Sequence, residues 1–468
     1  MKIAILGFGL EGKSVLKYLK KSPKFKKSDI FILDKKNSKN YLKNLEQFNI
    51  VFRSPGVPYN LPEIQKAIKK GIKVTSGTAL FFDLARGKIR HSDASKRSNR
   101  LEHLNNIKII GITGTKGKGT TSTLLYKILK ACGKNTYLAG NIGKPALELL
   151  LKISVDQRNN QRKSASTFVI LELSSFQIQD LNQSPDIAVV LDTFPDHLDT
   201  HKNFKEYINA KANIAKWQKK NDKIFYFIDN KYSKLIAQKS HGKKIPVQCR
   251  DIGCPDIKKI FGTSDVQKLI KIPGFHNLRN TVIAATVALS LGCPKEKIIK
   301  AIKNFRGMEH RLELIKTIRI NQPNQHKSVF IKFYNDSAST NPQTAVAAIR
   351  SFNEPKILIA GGKDKNLDYS PLAKALKNSN TKLVILFGEN KDKIIKTILV
   401  NSPRQMVIRK VKNLNEAINL SYKTAKTLIT NYPLPITIIF SPASASFDMF
   451  KDYKERGEKF KEIVRKLK

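Results

Sequence analysis

Residues Gly111 to Ser122 read GITGTKGKGTTS. The apolar run Ile107 to Ile112 predicts a short buried strand, the Gly/Thr/Lys segment a tight turn, and Thr121 to Ala131 a helical pattern that begins at once. A strand, a glycine-rich turn and a helix start in succession make a phosphate cradle. Glycines let backbone N–H groups approach an anion, Lys118 adds a point charge, and the helix presents its positive dipole end. The text departs from a Walker A loop, which has Gly, four residues, then Gly-Lys-Ser/Thr. Here two residues separate Gly114 from Gly117, and Gly119 stands where the hydroxyl belongs. A glycine-rich turn without a ligand is the plain alternative.

The chain of 468 residues is too long for one hydrophobic core and predicts about three domains. No stretch approaches the roughly 18 to 20 uninterrupted apolar residues of a membrane span, and MKIAILGFG breaks into glycine too early for a signal peptide. The expectation is a cytoplasmic protein without membrane insertion. Cys132, Cys249, Cys254 and Cys293 form no C-x-x-C pair, which argues against a disulfide or zinc framework. The formal charge of +49 comes from lysines spread along the whole chain rather than from an arm or recognition helix. It reads as a solvated surface with salt-sensitive adhesion to polyanions and no specific nucleic-acid site.

Ahead of the cradle, KIAIL runs into Gly7-Phe8-Gly9-Leu10-Glu11-Gly12 and a helix, and a second strand, Ile30 to Leu33, ends at Asp34. This is a dinucleotide-type glycine turn, and it keeps an NAD(P) site open as a reading. Ile50 to Phe52 and Ile72 to Val74 read as further strands, with the turn Ser54-Pro55-Gly56-Val57-Pro58 between them. Arg86 to Asn106 and Asp156 to Thr167 are polar, without periodicity, and read as a basic linker and a long loop.

Behind the cradle, the strand Phe168 to Leu171 ends at Glu172, where a nucleotide's Mg²⁺ finds a carboxylate. The strand Ile187 to Leu191 leads to Asp196-His197-Leu198-Asp199-Thr200-His201, either a metal shell or an N-cap followed by surface histidines. A helix from Phe204 to Trp217 carries Lys211 among apolar and alanine residues; a lysine there ordinarily snorkels. Asn277 and Asn280 fall one turn apart at the start of a long helix, suited to a base edge or to capping. From Gly307 a third alternation of strands and helices predicts another doubly wound sheet, with polar clusters at the strand ends: Asn335-Asp336-Ser337, Gly361 to Lys365, and Ser441 to Asp448.

In this order GFGLEG, SPGVP, GTKGKGTT, GNIGKPAL, LELSSFQ, DHLDTH, YINAKANI, PGFHNLRN, EHRLEL, NDSASTN, GGKDKNLD and SPASASFDMFKDYKERG span nearly the whole chain. Together they resemble the Mur ligase family, and LELSSFQ and SPASASFD resemble its D-glutamate-adding branch. The resemblance implies an α/β fold in three domains. These are a UDP-binding Rossmann-like domain over 1–104 with the linker near 86–106, a central P-loop-type ATPase domain over 105–306, and a C-terminal Rossmann-like amino-acid domain over 307–468. It implies a monomeric ligase using ATP and Mg²⁺, with UDP-N-acetylmuramoyl-L-alanine and D-glutamate as substrates and an acyl phosphate between them.

Carried over by motif, Gly9, Leu10 and Glu11 sit at the UDP diphosphate, Ser54 and Gly56 at the nucleotide pocket, and Asn141 at the sugar-alanine. Gly114, Thr115, Lys116, Gly117, Lys118, Gly119, Thr120 and Thr121 hold ATP phosphates. Thr120, Glu172, His197 and Lys211, the last as a carbamate, ligate metal. Asn277 and Asn280 match adenine contacts, and Arg311 and Asp336 match residues that close the ATP site. Thr340, Lys365, Ser446, Phe447 and Tyr453 match the D-glutamate pocket. Two positions depart from the family: Gly119 replaces Ser or Thr, and Ala338 replaces the lysine of NDSKATN. Another ligase of this architecture with a different amino acid, an NAD(P)-dependent oxidoreductase and a polyanion binder are the competing readings.

Overall fold

The computed structural model describes residues 1–87, 106–141, 143–159, 166–196, 200–249, 260–261, 269–321, 328–401, 407–430 and 434–467. The chain divides into two compact units, Met1–Val266 with Arg279–Ile302 and Gln267–Leu278 with Lys303–Lys468.

The first unit holds two parallel sheets. β1 (Lys2–Leu6), β2 (Asp29–Leu33), β3 (Ile50–Arg53) and β4 (Lys73–Thr75) run in the order β2-β1-β3-β4. β5 (Ile107–Thr113), β6 (Thr136–Gly140), β7 (Thr167–Glu172), β8 (Ile187–Val190), β9 (Lys223–Phe227) and β10 (Lys243–Val247) run in the order β10-β9-β8-β5-β7-β6. Parallel strands are covered on both faces, so their interiors are continuous apolar runs. β7, TFVILE, and β8, IAVV, are buried at every residue.

The strand order also fixes where a ligand belongs. From β5 the chain goes to β6 and β7 on one side and returns to β8 on the other. The carboxyl end of β5 is therefore the switch point at which such sheets bind ligands, and the GTKGKGTT turn leaves from it.

The two sheets share one core. The helix Gly77–Ala85, GTALFFDLA, is buried at all but one residue, Asp83. A helix apolar all round must be enclosed. Its Phe81 and Phe82 join a cluster with Ile3 and Ile5 of the first sheet and Ile109 and Val169 of the second. Burying each phenylalanine contributes about 1.5–3 kcal/mol.

The second unit carries β11 (Glu313–Ile320), β12 (Val329–Asn335), β13 (Lys356–Ala360), β14 (Thr381–Leu386), β15 (Val407–Lys410) and β16 (Ile436–Phe440), ordered β11-β12-β16-β13-β14-β15. β11 is antiparallel to β12 and the other pairs are parallel. The carboxyl ends of β12, β13 and β16 bear the three polar clusters singled out in the sequence.

Two expectations change. The phosphate-loop helix spans Lys118–Ala131, three residues earlier than its apolar pattern, because Gly117 in the left-handed region is its N-cap. The stretch expected as a loop from Asp156 is helical to Asn159, the end of the helix Ala146–Asn159. Residues 88–105 of the expected linker and 160–165 of that loop lie outside the described residues. Among the described residues no helix is long and apolar enough to cross a membrane.

Candidate active site

The turn after β5 rests on backbone that glycine tolerates best: Gly114 at φ 151° and Gly117 at φ 85°. A Cβ on Gly117 would lie 2.3 Å from Asn280 Oδ1. Gly117 has no side chain to cap the helix, whose N-terminus carries the positive end of its dipole. Lys118 Nζ donates to the carbonyls of Gly114 and Thr115, each at 3.0 Å. Thr115 anchors the loop: its N–H donates to Asp192 O at 2.9 Å, and its hydroxyl lies 3.0 Å from Phe194 O and from Tyr207 Oη. Lys116 Nζ stands 5.5 Å over the Phe194 ring. Gly119, Thr120 and Thr121 are buried in the first turn of the helix. Thr121 Oγ1 has no hydrogen-bond partner among the described residues. An unsatisfied buried hydroxyl costs about 1–3 kcal/mol, a cost that a bound ligand removes.

The helix Phe204–Lys216 is started by Asn203, whose side chain accepts from Glu206 N at 2.9 Å. It aims Tyr207 and Lys211 at the loop. Lys211 is 1% exposed, so it does not snorkel. Its Nζ donates to Gly114 O at 3.0 Å and Thr113 Oγ1 at 3.3 Å, 4.6 Å over the Tyr207 ring. Burial pushes the Lys211 amine well below the ordinary lysine range, the Lys118 charge adds to this, and Asp196 opposes it. Tyr207 thus contacts both the loop and the lysine.

Glu172, at the end of β7, is 6% exposed and accepts from Asn141 Nδ2 at 3.3 Å. The fold therefore brings GNIGKPAL to LELSSFQ. His197 lies outside the described residues. His201 is buried, stacked on Phe176 at 5.2 Å with Nε2 3.0 Å from Ser175 Oγ.

Arg279, which the sequence reading passed over, is buried in a fork of two carboxylates. Nε and Nη2 donate to Asp192 at 2.8 and 2.7 Å, and Nη1 and Nη2 to Asp229 at 2.6 and 3.1 Å. Its carboxylate partners raise its pKa against the cost of burial. Asp192 also receives Thr115 N–H, so one aspartate ties the Arg279 segment to the phosphate loop. Asn280 next to it meets Gly117, which places its carboxamide at the loop. Asn277, in the other unit, donates to Pro273 O at 2.7 Å.

In the first sheet the glycine turn and SPGVP meet. Ser54 Oγ donates to Gly7 O at 2.6 Å, and a Cβ on Gly12 would come 2.3 Å from that carbonyl. Leu10 is 64% exposed at the helix start, while Gly9 and Gly56 have open space where a Cβ would stand. The Glu11 carboxylate turns inward: its Oε1 accepts from Thr78 N and Oγ1, both at 3.0 Å. Burial raises its pKa, against the Thr78 hydrogen bonds. Both oxygens of Asp34 accept backbone N–H groups, from Phe8 at 2.6 Å and Lys36 at 2.9 Å.

In the second unit Arg311 is exposed between two residues in the left-handed region, His310 at φ 62° and Leu312 at φ 45°. Asp336 holds this turn, accepting from Leu312 N at 3.2 Å and from Ser441 Oγ at 2.7 Å. Gly361 N donates to Pro442 O and Lys363 N to Ala445 O, each at 2.9 Å, which joins GGKDK to SPASAS. Lys365 Nζ lies 5.4 Å over the exposed Phe447 ring, with Ser446 buried beside it in the chain. Tyr453 stands edge-on to His310 at 6.1 Å, and Thr340 is exposed just before the helix Pro342–Arg350. Beneath these loops Arg456 is fully buried and donates to the carbonyls of Ser337, Ser444 and Ala445. Burial pushes its guanidinium down to about 10, so it stays charged at neutral pH. Glu309, His310 and Glu458 cluster as metal ligands would, but the ammonium of Lys461 already stands 3.7 Å from Glu309 and 3.0 Å from Glu458.

Residues 112–288 match the Mur ligase middle domain. Over its whole length the chain is similar to the UDP-N-acetylmuramoylalanine--D-glutamate ligase of Acetivibrio thermocellus, 33% identical over 502 residues and covering 96% of that protein. The enzyme of the same name from Clostridium tetani is 33% identical over 497 residues, again with 100% of this chain and 97% of that protein covered. Among solved structures, MurF from Acinetobacter baumannii has the same fold, at a TM-score of 0.54, 17% identity, and 84% and 82% of the two chains covered. With its phosphate loop at a switch point and full-length relatives of one name, the chain belongs to the Mur ligase family.

Proposed function

We propose that the chain is an ATP-dependent ligase that joins D-glutamate to UDP-N-acetylmuramoyl-L-alanine through an acyl phosphate. A carboxylate is a poor electrophile, and phosphorylation gives it a leaving group. The γ-phosphoryl of ATP passes to the terminal carboxylate of the UDP-sugar-alanine, and the amine of D-glutamate then attacks the acyl carbon and expels phosphate. Lys118 and the N–H groups behind Gly117 neutralise the charge on the moving phosphoryl group.

One observation carries the reading: Lys118 Nζ and Lys211 Nζ converge on a single acceptor, Gly114 O, each at 3.0 Å. Two ammonium groups on one carbonyl repel, and the buried one is the one to lose its proton. A neutral, enclosed amine is what CO₂ requires to form a carbamate, with release of one proton. That turns Lys211 from a cation into an anion. The hard oxygen donors of Thr120 and Glu172, the imidazole of His197 and the Lys211 carbamate suit Mg²⁺, which supplies charge neutralisation at the phosphates when bound. The Thr121 hydroxyl, without a partner among the described residues, fits a loop completed by its ligand.

We assign residues 1–104 to the UDP moiety through Gly9, Leu10, the backbone of Glu11, Ser54 and Gly56, with Asn141 of the following domain at the sugar-alanine. Residues 105–306 take ATP, with Asn277 at the adenine. Residues 307–468 take the amino acid through Thr340, Lys365, Ser446, Phe447 and Tyr453, and Arg311 and Asp336 serve the nucleotide. The test is isotopic. With ¹⁸O in the substrate carboxylate, one labelled oxygen per turnover appears in the released phosphate. Unlabelled phosphate would rule out the acyl phosphate.

A further inference from the structure

Arg53 stands at the carboxyl end of β3, immediately before the SPGVP turn, and is 1% exposed. Its guanidinium binds in two directions. Nη1 donates to its own turn, at Val57 O, 2.7 Å away. Nε and Nη2 donate to Asp180 Oδ2 at 3.1 and 2.9 Å, and Nη2 also to Phe176 O at 2.7 Å. The Asp180 side chain is itself only 2% exposed. Phe176 belongs to the short helix Ser175–Ile178, which starts three residues after Glu172 and is closed by a capping box between Ser174 and Gln177.

The same joint has two further strands. Ser76 Oγ lies 3.5 Å from Asp180 Oδ1 and caps the helix Gly77–Ala85, whose Thr78 holds Glu11 of the glycine turn. On the other side Gln179 Nε2 donates to Asn60 Oδ1 at 3.3 Å and to Glu206 Oε1 at 3.2 Å, and Asn60 Nδ2 also donates to Glu206. Glu206 lies on the helix that carries Lys211.

An enclosed ion pair of this kind is weak evidence for stability, since both ions lose their hydration, but it fixes geometry because the planar guanidinium is held by three separate acceptors, Val57 O, Phe176 O and Asp180 Oδ2. We infer that Arg53 is a positioning residue that makes the Ser54–Val57 turn and the Ser175–Ile178 helix one mechanical piece, so that occupancy of the nucleotide-sugar turn reaches Glu172 and the Lys211 helix. The inference rests on the reading above for the identity of the substrate.

The test combines kinetics with amide hydrogen exchange on the full chain, for Arg53→Met and for Asp180→Asn, which keeps the side-chain shape. Arg53→Met raises KM for UDP-N-acetylmuramoyl-L-alanine and lowers kcat, each at least tenfold, while KM for ATP and for D-glutamate stays within twofold. Asp180→Asn moves the same constants in the same direction by a smaller factor, and it decides the question if Arg53→Met fails to fold. The double variant is no worse than Arg53→Met alone. In the wild-type enzyme the UDP substrate slows exchange at both Ser54–Val57 and Ser175–Ile178; in either variant it slows only the first. Equal rises in all three KM values, or protection of both segments in a variant, would overturn the inference. Without any ligand, exchange at Ser175–Ile178 rises at least tenfold in Arg53→Met against an unchanged central strand β8. This arm decides the inference even where a wild-type enzyme unaffected by the UDP substrate has refuted the substrate reading.

Discussion

The carboxamide of Asn280 lies where a side chain on Gly117 would begin: a Cβ there would stand 2.3 Å from Oδ1. Gly117 therefore answers two demands at once, a φ of 85° and an empty volume for the neighbouring helix. Gly117→Ala is expected to lower kcat/KM for ATP by about a hundredfold, about 2.7 kcal/mol. Adding Asn280→Gly restores the space and recovers part of the loss, leaving the cost of the left-handed backbone, about 1–2 kcal/mol. Steady-state kinetics of the two single variants and the double variant checks this. Strict additivity would mean that the two residues do not press on one another.

Lys211 is the residue at which a cation and a carbamate lead to opposite results. Lys211→Ala is expected to be nearly inactive and to regain part of its activity with a short carboxylic acid at high concentration, which stands in for the missing anion. Lys211→Arg stays inactive, since guanidinium keeps its positive charge and does not take up CO₂. Activity retained in Lys211→Arg would show the lysine to be a plain cation.

The Glu11 carboxyl is desolvated and its pKa lies above the ordinary value. The folded chain thus holds a proton that the unfolded chain releases above a pH of about 4.3. Stability from this group is full below that pH and falls as pH rises through the raised folded value. Glu11→Gln carries no titrating proton and still accepts from Thr78, so it is expected to lack the part of the pH dependence that Glu11 contributes. Urea unfolding of both proteins between pH 4 and 8 measures the difference. Binding of the UDP substrate stays within about twofold, because the carboxylate faces Thr78 and the diphosphate is assigned to backbone.

Lys365 stands over Phe447 beside Ser446 at the end of the C-terminal sheet. Lys365→Ala is expected to raise KM for D-glutamate by roughly ten- to a hundredfold, the value of a charge-assisted hydrogen bond of about 1.5–3 kcal/mol, and Ser446→Ala by less. Both leave KM for ATP within twofold. An unchanged amino-acid KM in both variants would place the pocket elsewhere.

The sequence was most legible where chemistry is local. The glycine turns, the strand β5 and the carboxylate closing β7 follow from short-range pattern, and the structure sets Ser54 against Gly7 and Asn141 against Glu172. Two edge strands were not legible: β15 reads VIRK and is exposed or half-exposed at every position, and β10 reads KKIPV with a proline inside it. Without a covered face there is no periodicity to read. The contacts that position the site were hidden for a different reason. Tyr207 meets Thr115 across 92 residues, Arg279 meets Asp192 across 87, and Arg53 meets Asp180 across 127. No local pattern distinguishes such a tyrosine from a core aromatic, or such an arginine from one on a basic surface. Lys211 lay between these cases: its apolar neighbours read as those of a snorkelling lysine, and only the fold shows that it is enclosed.

The most direct measurement is product formation by the purified chain with ATP, Mg²⁺ and UDP-N-acetylmuramoyl-L-alanine, across a series of amino acids and with Lys118→Ala in parallel. The account predicts one phosphate released per product with D-glutamate, and a product heavier than the UDP substrate by one glutamate less one water. It also predicts no ligation by Lys118→Ala, although that variant still binds the UDP substrate. A wild-type chain that forms no amide with D-glutamate, or that prefers another amino acid, would contradict it.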